Sequence, residues 1–191
     1  DKLDRLYSSK DSKLRVRLDA NNLWSDVENA LSYLRTLPDR ITAIEEPLKV
    51  GDYEGCRLLA RELNILIILD ESFLRPEQFA LIESDPPSPW IINIRVSKMG
   101  GILRSLAVAE QAKELGIPII IGAQVGETSV LTRAALTVAN TYRDILVAQE
   151  GAFGTLLLER DICDPPLMFG AAGRLDVREV SGRAGLGLSQ V

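Results

Sequence analysis

Three carboxylates stand where apolar runs end. Leu14-Arg-Val-Arg-Leu18 runs into Asp19, Ile41-Thr-Ala-Ile44 into Glu45, and Leu66-Ile-Ile-Leu69 into Asp70, so the acids recur at intervals of twenty-five or twenty-six residues. An apolar run of this length reads as a strand buried on both faces, the kind found in parallel sheets. Neighbouring strands lie about 4.8 Å apart, so acids in phase at successive strand ends can close on one cation. The chain contains no histidine. That removes Ser-His-Asp and Cys-His catalysis and most zinc chemistry. A metal here would be held by oxygen, which points to magnesium, manganese or calcium. Any one of these acids alone is more simply read as a helix cap or a surface ion pair. Their shared phase favours a site.

The elements that would position the acids follow in order. A helix ending over Asp1 to Lys13 is expected, then a strand at Leu14 to Leu18. Ser25 can cap a helix running to about Leu37, whose apolar Val27, Ala30, Leu31 and Leu34 follow helical spacing and which Pro38 ends. A strand at Ile41 to Ile44, a helix from Asp52 to Leu63 and a strand at Ile65 to Leu69 come next. Pro76 to Ile82 forms a short helix with proline in its first turn, and Asp85 to Pro89 a turn. Strands follow at Trp90 to Arg95, Ile119 to Ile121 and Ile145 to Ala148. They are separated by a helix over Ile102 to Leu115 and by a long helix opened by Glu127 and reaching Tyr142. A hairpin is expected near Arg174 to Val180.

Strand, loop, helix, loop at a constant interval means parallel strands joined by right-handed crossovers. An eight-fold barrel and an open doubly wound sheet both fit. In the open sheet, ligands sit at one switch point. In the barrel, every strand end shares one mouth, and three neighbouring acids can meet there. The barrel is favoured, although only about six strands can be read. A dinucleotide-binding sheet is disfavoured, because Asp19-Ala-Asn-Asn-Leu-Trp24 lacks the glycine-rich turn.

With 191 residues and 46% hydrophobic residues, the chain can bury a full core as one domain. A net charge of −5 argues against general binding to nucleic acid or anionic membranes. No apolar stretch reaches membrane-span length. Cys56 and Cys163 read as two reduced thiols, and a cytoplasmic location is expected.

Arg17-Leu-Asp-Ala-Asn21, Ile44-Glu-Glu-Pro-Leu48, Leu69-Asp-Glu-Ser72, Asn93-Ile-Arg-Val-Ser-Lys-Met-Gly-Gly101 and Gly185-Leu-Gly187 together resemble the enolase superfamily. The branch most similar contains mandelate racemase and muconate lactonizing enzyme. The resemblance covers nearly the whole chain. It implies an α/β fold, a partial TIM-type barrel supplying the third to eighth strands of the modified enolase barrel. It also implies a capping domain and two first strands that this sequence does not contain, so residues 1–191 are expected to be the C-terminal barrel portion. Asp19, Glu45 and Asp70 match the metal ligands, the cation being magnesium with manganese as the alternative. Glu46, Glu71 and Asn21 would orient or support them. The implied activity is removal of the α-proton of a small-molecule carboxylate through an enediolate, giving racemisation, epimerisation, cycloisomerisation or dehydration.

The family pattern is broken at its base. The branch places lysine or aspartate five residues before the Gly-Gly pair, and here that residue is Arg95. Its pKa of about 12 or higher makes arginine a poor base and a good clamp for a carboxylate or enediolate. Strand alternation sets Arg95 on the face of Asn93. Lys98, just past the strand, is the other candidate base, although a structural ion pair is its simpler reading. Glu127 and Glu150 match acids near the last two strand ends and could donate a proton or bind an amine. Asn21 and Glu150 are the substrate-binding candidates. The competing hypothesis is a catalytically inactive or truncated homologue acting as a structural or binding protein. Two open sheet edges make a homo-oligomer the expected state.

Overall fold

The computed structural model describes residues 15–37, 40–83, 87–151 and 154–191. The helix expected over Asp1 to Lys13, the Pro38 stop and part of the turn after Asp85 lie outside them. The chain divides into two compact units, Asp1–Ser72 and Phe73–Val191.

The first unit alternates β1 (Val16–Asp19), α1 (Val27–Leu34), β2 (Ile41–Glu45), α2 (Tyr53–Leu63) and β3 (Leu66–Leu69). β2 pairs with β1 and with β3, parallel in both cases. Asp26, not Ser25, caps α1: its carboxylate accepts from the Asn29 N–H at 2.9 Å, and the helix stops at Leu34. Ser25 instead donates to Asp26. An aspartate one residue nearer the first turn satisfies an orphan N–H directly, so it wins the cap. Asp52 caps α2 in the same way through Gly55 N–H, and Asn64 ends it in the left-handed conformation. The core of this unit is Ala30, Ala43, Ile44, Leu59, Ile67, Ile68 and Leu69, all within 1% of complete burial.

The second unit runs through a 3₁₀ turn (Pro76–Leu81), β4 (Trp90–Ile94), α3 (Val96–Met99), α4 (Ile102–Glu114), β5 (Ile119–Ile121), α5 (Ser129–Thr141) and β6 (Leu146–Gln149). β5 pairs parallel with β4 and with β6. Every residue of β4 and β5 is buried, as expected of parallel strands covered on both faces. Glu127 does not open α5. Thr128 is its N-cap and the helix begins at Ser129.

The tail follows as α6 (Gly154–Leu157), β7 (Cys163–Asp164) and β8 (Ser189–Gln190). The hairpin expected at Arg174 to Val180 is absent. β7 instead pairs antiparallel with the distant β8, and Phe169 bridges Leu175 around a tight turn. Leu167, Val180 and Leu136 of α5 form a small core that Leu175, Val177 and Leu188 cover. Packing against α5 thus decides the course of the tail. Gly187 belongs to this packing, because a Cβ there would lie 2.3 Å from the Val180 carbonyl oxygen.

Candidate functional site

β1 and β2 start out of phase and are corrected. Val16 pairs with Ile41, but Arg17 pairs with Ala43, and from there Asp19 stands beside Glu45. The one-residue shift, absorbed at Thr42, matters because a slip of one residue sends a side chain to the opposite face. Without it, Asp19 would stand beside Ile44. Glu45 in turn pairs with Ile68 of β3, and Asp70 lies two residues further on, which strand alternation places on the same face. The three expected ligands therefore share one face at one end of the first unit. Glu45 is 8% exposed and Asp70 2%, whereas Asp19 is exposed.

Glu46 binds these strand ends together. Alternation would carry its side chain to the face of Ile44, but its φ of +39° turns the chain out of the strand. The buried carboxylate then accepts from Asp70 N–H at 2.7 Å, Ser72 N–H at 2.8 Å and Ser72 Oγ at 2.7 Å. Asn22 Nδ2 donates to it at 3.2 Å and to the Leu48 carbonyl at 2.6 Å. Asn21 and Asn22 are also left-handed, at φ +46° and +58°. Asn21 N–H donates to Asp19 Oδ1 at 3.0 Å, while the Asn21 residue is exposed. Each such conformation costs a non-glycine residue about 1–3 kcal/mol, and such strain gathers at functional sites. Three of the left-handed non-glycine residues among those described lie on this one rim. Cys56, buried nearby, has its thiol pushed up to about 12, first by loss of water and then by the charges of Glu46 and Asp52. It is a structural thiol, not a nucleophile.

Three carboxylates on one face form a hard donor set that suits magnesium or manganese in chemistry and in order. Among the described residues, however, no group of three or more His, Cys, Asp or Glu side chains is gathered closely enough to hold an ion. The rim brings Asp19, Glu45 and Asp70 to one face and does not draw their carboxylates together. Glu71 lies half-buried at the turn that follows β3.

The second unit carries the remaining candidates. Asn93 pairs with Ile120 and Ile94 with Ile121, and Gly122 N–H extends the ladder to the Ile94 carbonyl at 3.0 Å. Arg95 therefore lies beside Gly122. β5 and β6 repeat the earlier device: Ile119 pairs with Leu146, but Ile120 with Ala148 and Ile121 with Gln149. The shift at Val147 brings Glu150, and not Gln149, into the row of Arg95 and Gly122. Glu150 N–H donates to the Ile121 carbonyl at 2.8 Å. Gly122 leaves room for Asn93, since a Cβ there would lie 2.1 Å from Asn93 Oδ1 and one of the two would have to shift.

Glu127 reaches this rim from the following loop. It is 8% exposed and accepts from Gln124 N–H at 2.7 Å. Burial raises its pKa, against the opposing pull of that hydrogen bond and of the Arg95 charge. A buried, perturbed acid facing a fixed cation marks a functional-site candidate. Lys98 sits half-buried on α3. A cavity of about 220 Å³ opens beside Glu150, lined also by Ala123, Val125, Gly126 and Leu157.

The sequence reading missed Asn22 and Ser72. Their signal was faint: an Asn-Asn pair where two left-handed residues are needed, and a serine two positions after a candidate ligand.

A family model described as Enolase C-terminal domain-like matches residues 7–190. The chain belongs to this family. It is 31% identical over 144 residues to the hydrophobic dipeptide epimerase of Enterococcus faecalis, a match covering 74% of this chain and 40% of that protein. It is 27% identical over 181 residues to the L-Ala-D/L-Glu epimerase of Bacillus subtilis, covering 93% of this chain and 47% of that one. Among solved structures, the dipeptide epimerase from E. faecalis V583 complexed with Mg and the dipeptide L-Leu-L-Tyr superposes with a TM-score of 0.83 at 25% identity, over 99% of this chain and 52% of that one. Muconate lactonizing enzyme gives 0.81 at 28% identity, over 98% and 50%. The chain spans about half the length of the relatives it matches. Its fold is the α/β partial barrel of the enolase type, with the mandelate racemase and muconate lactonizing branch as its kin. No described helix is long and apolar enough to cross a membrane.

Proposed function

We propose that the protein containing this chain is a metal-dependent isomerase or lyase of the enolase superfamily that removes the α-proton of a small carboxylate. Asp19, Glu45 and Asp70 would hold magnesium, with manganese as the alternative, and the ion would withdraw charge from the substrate carboxylate when bound. Arg95 remains protonated and is suited to clamp a carboxylate or the enediolate formed from it. Glu127 and Lys98 are the candidates for carrying a proton on the second unit's rim. Asn21 and Glu150 are the candidates for substrate contact. The dipeptide epimerases among the relatives make a dipeptide the favoured substrate class.

The observation that carries this reading is the corrected register that sets Asp19 beside Glu45 on the face of Asp70. Arg95 in place of a lysine favours the second reading, a homologue without turnover. One assay separates the two: incubation of the full-length protein in deuterium oxide with magnesium and L-Leu-L-Tyr, L-Ala-L-Glu or muconate, followed by mass spectrometry. Magnesium-dependent deuterium at an α-carbon supports the enzyme. Its absence across the panel supports the non-catalytic homologue.

A further inference from the structure

We infer that Glu46 is a positioning residue whose carboxylate fixes the three acid-bearing strand ends relative to one another, so that the backbone carrying Asp19, Glu45 and Asp70 is held in order before any ion arrives, and only their side chains remain to close on it. The inference rests on the proposed function for its purpose, and on hydrogen bonds alone for its structure.

β2 is the middle strand of its unit, so a side chain at its end can reach both neighbours. The left-handed turn at Glu46 makes that reach available by lifting the carboxylate out of strand alternation. One oxygen, Oε1, accepts from the main-chain N–H groups of Asp70 and Ser72. It thus holds the backbone on both sides of residue 71 and orients Asp70 through its own peptide. The other oxygen, Oε2, accepts from Ser72 Oγ and from Asn22 Nδ2. Asn22 belongs to the loop whose N–H at residue 21 binds Asp19 Oδ1. Backbone bonds complete the tie: Asn22 N–H donates to the Glu46 carbonyl at 2.7 Å, and Glu46 N–H to the Ile68 carbonyl at 3.1 Å. One buried anion is therefore tied to the chain within three residues of each candidate ligand.

Glu46 has spent its lone pairs on these donors. A carboxylate so committed is poorly placed to serve as a ligand itself. The pair Glu45-Glu46 divides the work: the first acid faces the site and the second holds the frame. Ser72 continues the frame outward, since its Oγ also accepts from Gly51 N–H at 2.9 Å.

The test has two arms on the full-length protein. The first needs no metal. Amide hydrogen exchange read by NMR or mass spectrometry should show Asp70 and Ser72 exchanging at least tenfold faster in Glu46→Ala, with Ile67 and Ile68 unchanged. Unchanged protection at Asp70 and Ser72 overturns the inference whatever the protein's activity. The second arm titrates magnesium alone by calorimetry at a temperature where every variant is folded. Affinity should fall at least tenfold in Glu46→Ala and less in Asn22→Ala and Ser72→Ala. It should be unchanged in Ala30→Gly, which weakens α1 away from the rim.

Should Glu46→Ala fail to fold, Asn22→Ala and Ser72→Ala each remove one tie and decide the matter. Equal loss in Ala30→Gly would reduce Glu46 to a general stabiliser and overturn the inference. Faster exchange at Asp70 in Glu46→Ala, together with a wild-type protein that binds no magnesium, keeps the hydrogen-bonded frame but overturns the metal reading, and with it the purpose assigned to Glu46.

Discussion

The ends of β1, β2 and β3 and the ends of β4, β5 and β6 are built by the same device and finished differently. In each unit a one-residue register shift near the start of an outer strand pair sets which residue faces the rim, Asp19 in one and Glu150 in the other. Beyond that point they diverge. The first rim uses strained asparagines and a fully hydrogen-bonded Glu46 to hold its acids in order. The second keeps a bare position at Gly122, a permanent cation at Arg95 and a buried acid at Glu127 whose proton is held more tightly than usual. A frame built on a carboxylate whose lone pairs are already taken suits a fixed charge, such as a bound ion. A rim with a perturbed acid suits a charge that changes during a reaction. We propose holding for the first rim and proton movement for the second.

The sharpest way to break that assignment is Asp70→Asn. The substitution keeps the size of the side chain and removes one anionic donor. Magnesium affinity, measured by calorimetry on the ion alone, should fall at least a hundredfold, which is about 2.7 kcal/mol. Retained affinity would take the holding role away from the first rim. The same ion titrated into Glu127→Gln should bind as in the wild type, because Glu127 belongs to the second unit and is not among the proposed ligands. A shared loss would merge the two rims into one function.

A smaller effect is expected at Gly122. Its φ is unremarkable, so the constraint is space: a methyl group there meets the Asn93 amide. Overpacking of this kind costs about 1–3 kcal/mol, and urea unfolding of Gly122→Ala should show it. Pairing the change with Asn93→Ala should return part of the loss, since residues in contact are not additive. If Gly122→Ala is neutral, the bare position is incidental and the second rim loses a distinguishing feature.

How much of this could be seen in the sequence divides along the same line. Strand ends at Glu45 and Asp70 were legible because buried parallel strands are apolar runs that an acid after Ile44 or Leu69 interrupts sharply; Asp19, after the half-exposed and arginine-bearing β1, was legible by its phase with the other two. Ile119–Ile121 was read without error for the same reason. The register shifts at Thr42 and Val147 were not legible. A bulge leaves composition unchanged and is fixed only when two distant strands pair. A supporting role for Glu46 was expected from the family resemblance, but its partners were not legible, since alternation assigns the side chain to the other face and only a left-handed φ redirects it. The tail differs: a hairpin was expected near Arg174 to Val180, but packing of Leu167 and Val180 on α5 and the pairing of β7 with β8 chose another path. Local pattern found the elements, and tertiary contact placed their ends.

The subtlest expected effect is the pH dependence carried by Glu127. Burial raises its folded pKa above the ordinary 4.5. An acid whose folded pKa is raised binds more protons in the native state than in the unfolded one across that interval. Stability therefore falls as pH climbs from the unfolded value through the folded value, and the cost persists at neutral pH. Glu127→Gln removes the titration and keeps an amide oxygen to accept from Gln124 N–H. The variant should be more stable than the wild type at pH 7, and the gap should close as pH falls toward 4.5. Denaturant midpoints at pH 4.5, 5.5 and 7 would show it. A stabilising loss of an acid is the signature of a group kept for its chemistry at a cost to the fold. A constant gap across pH would make Glu127 a packing residue, and proton movement would have to be sought at Lys98 or Glu150.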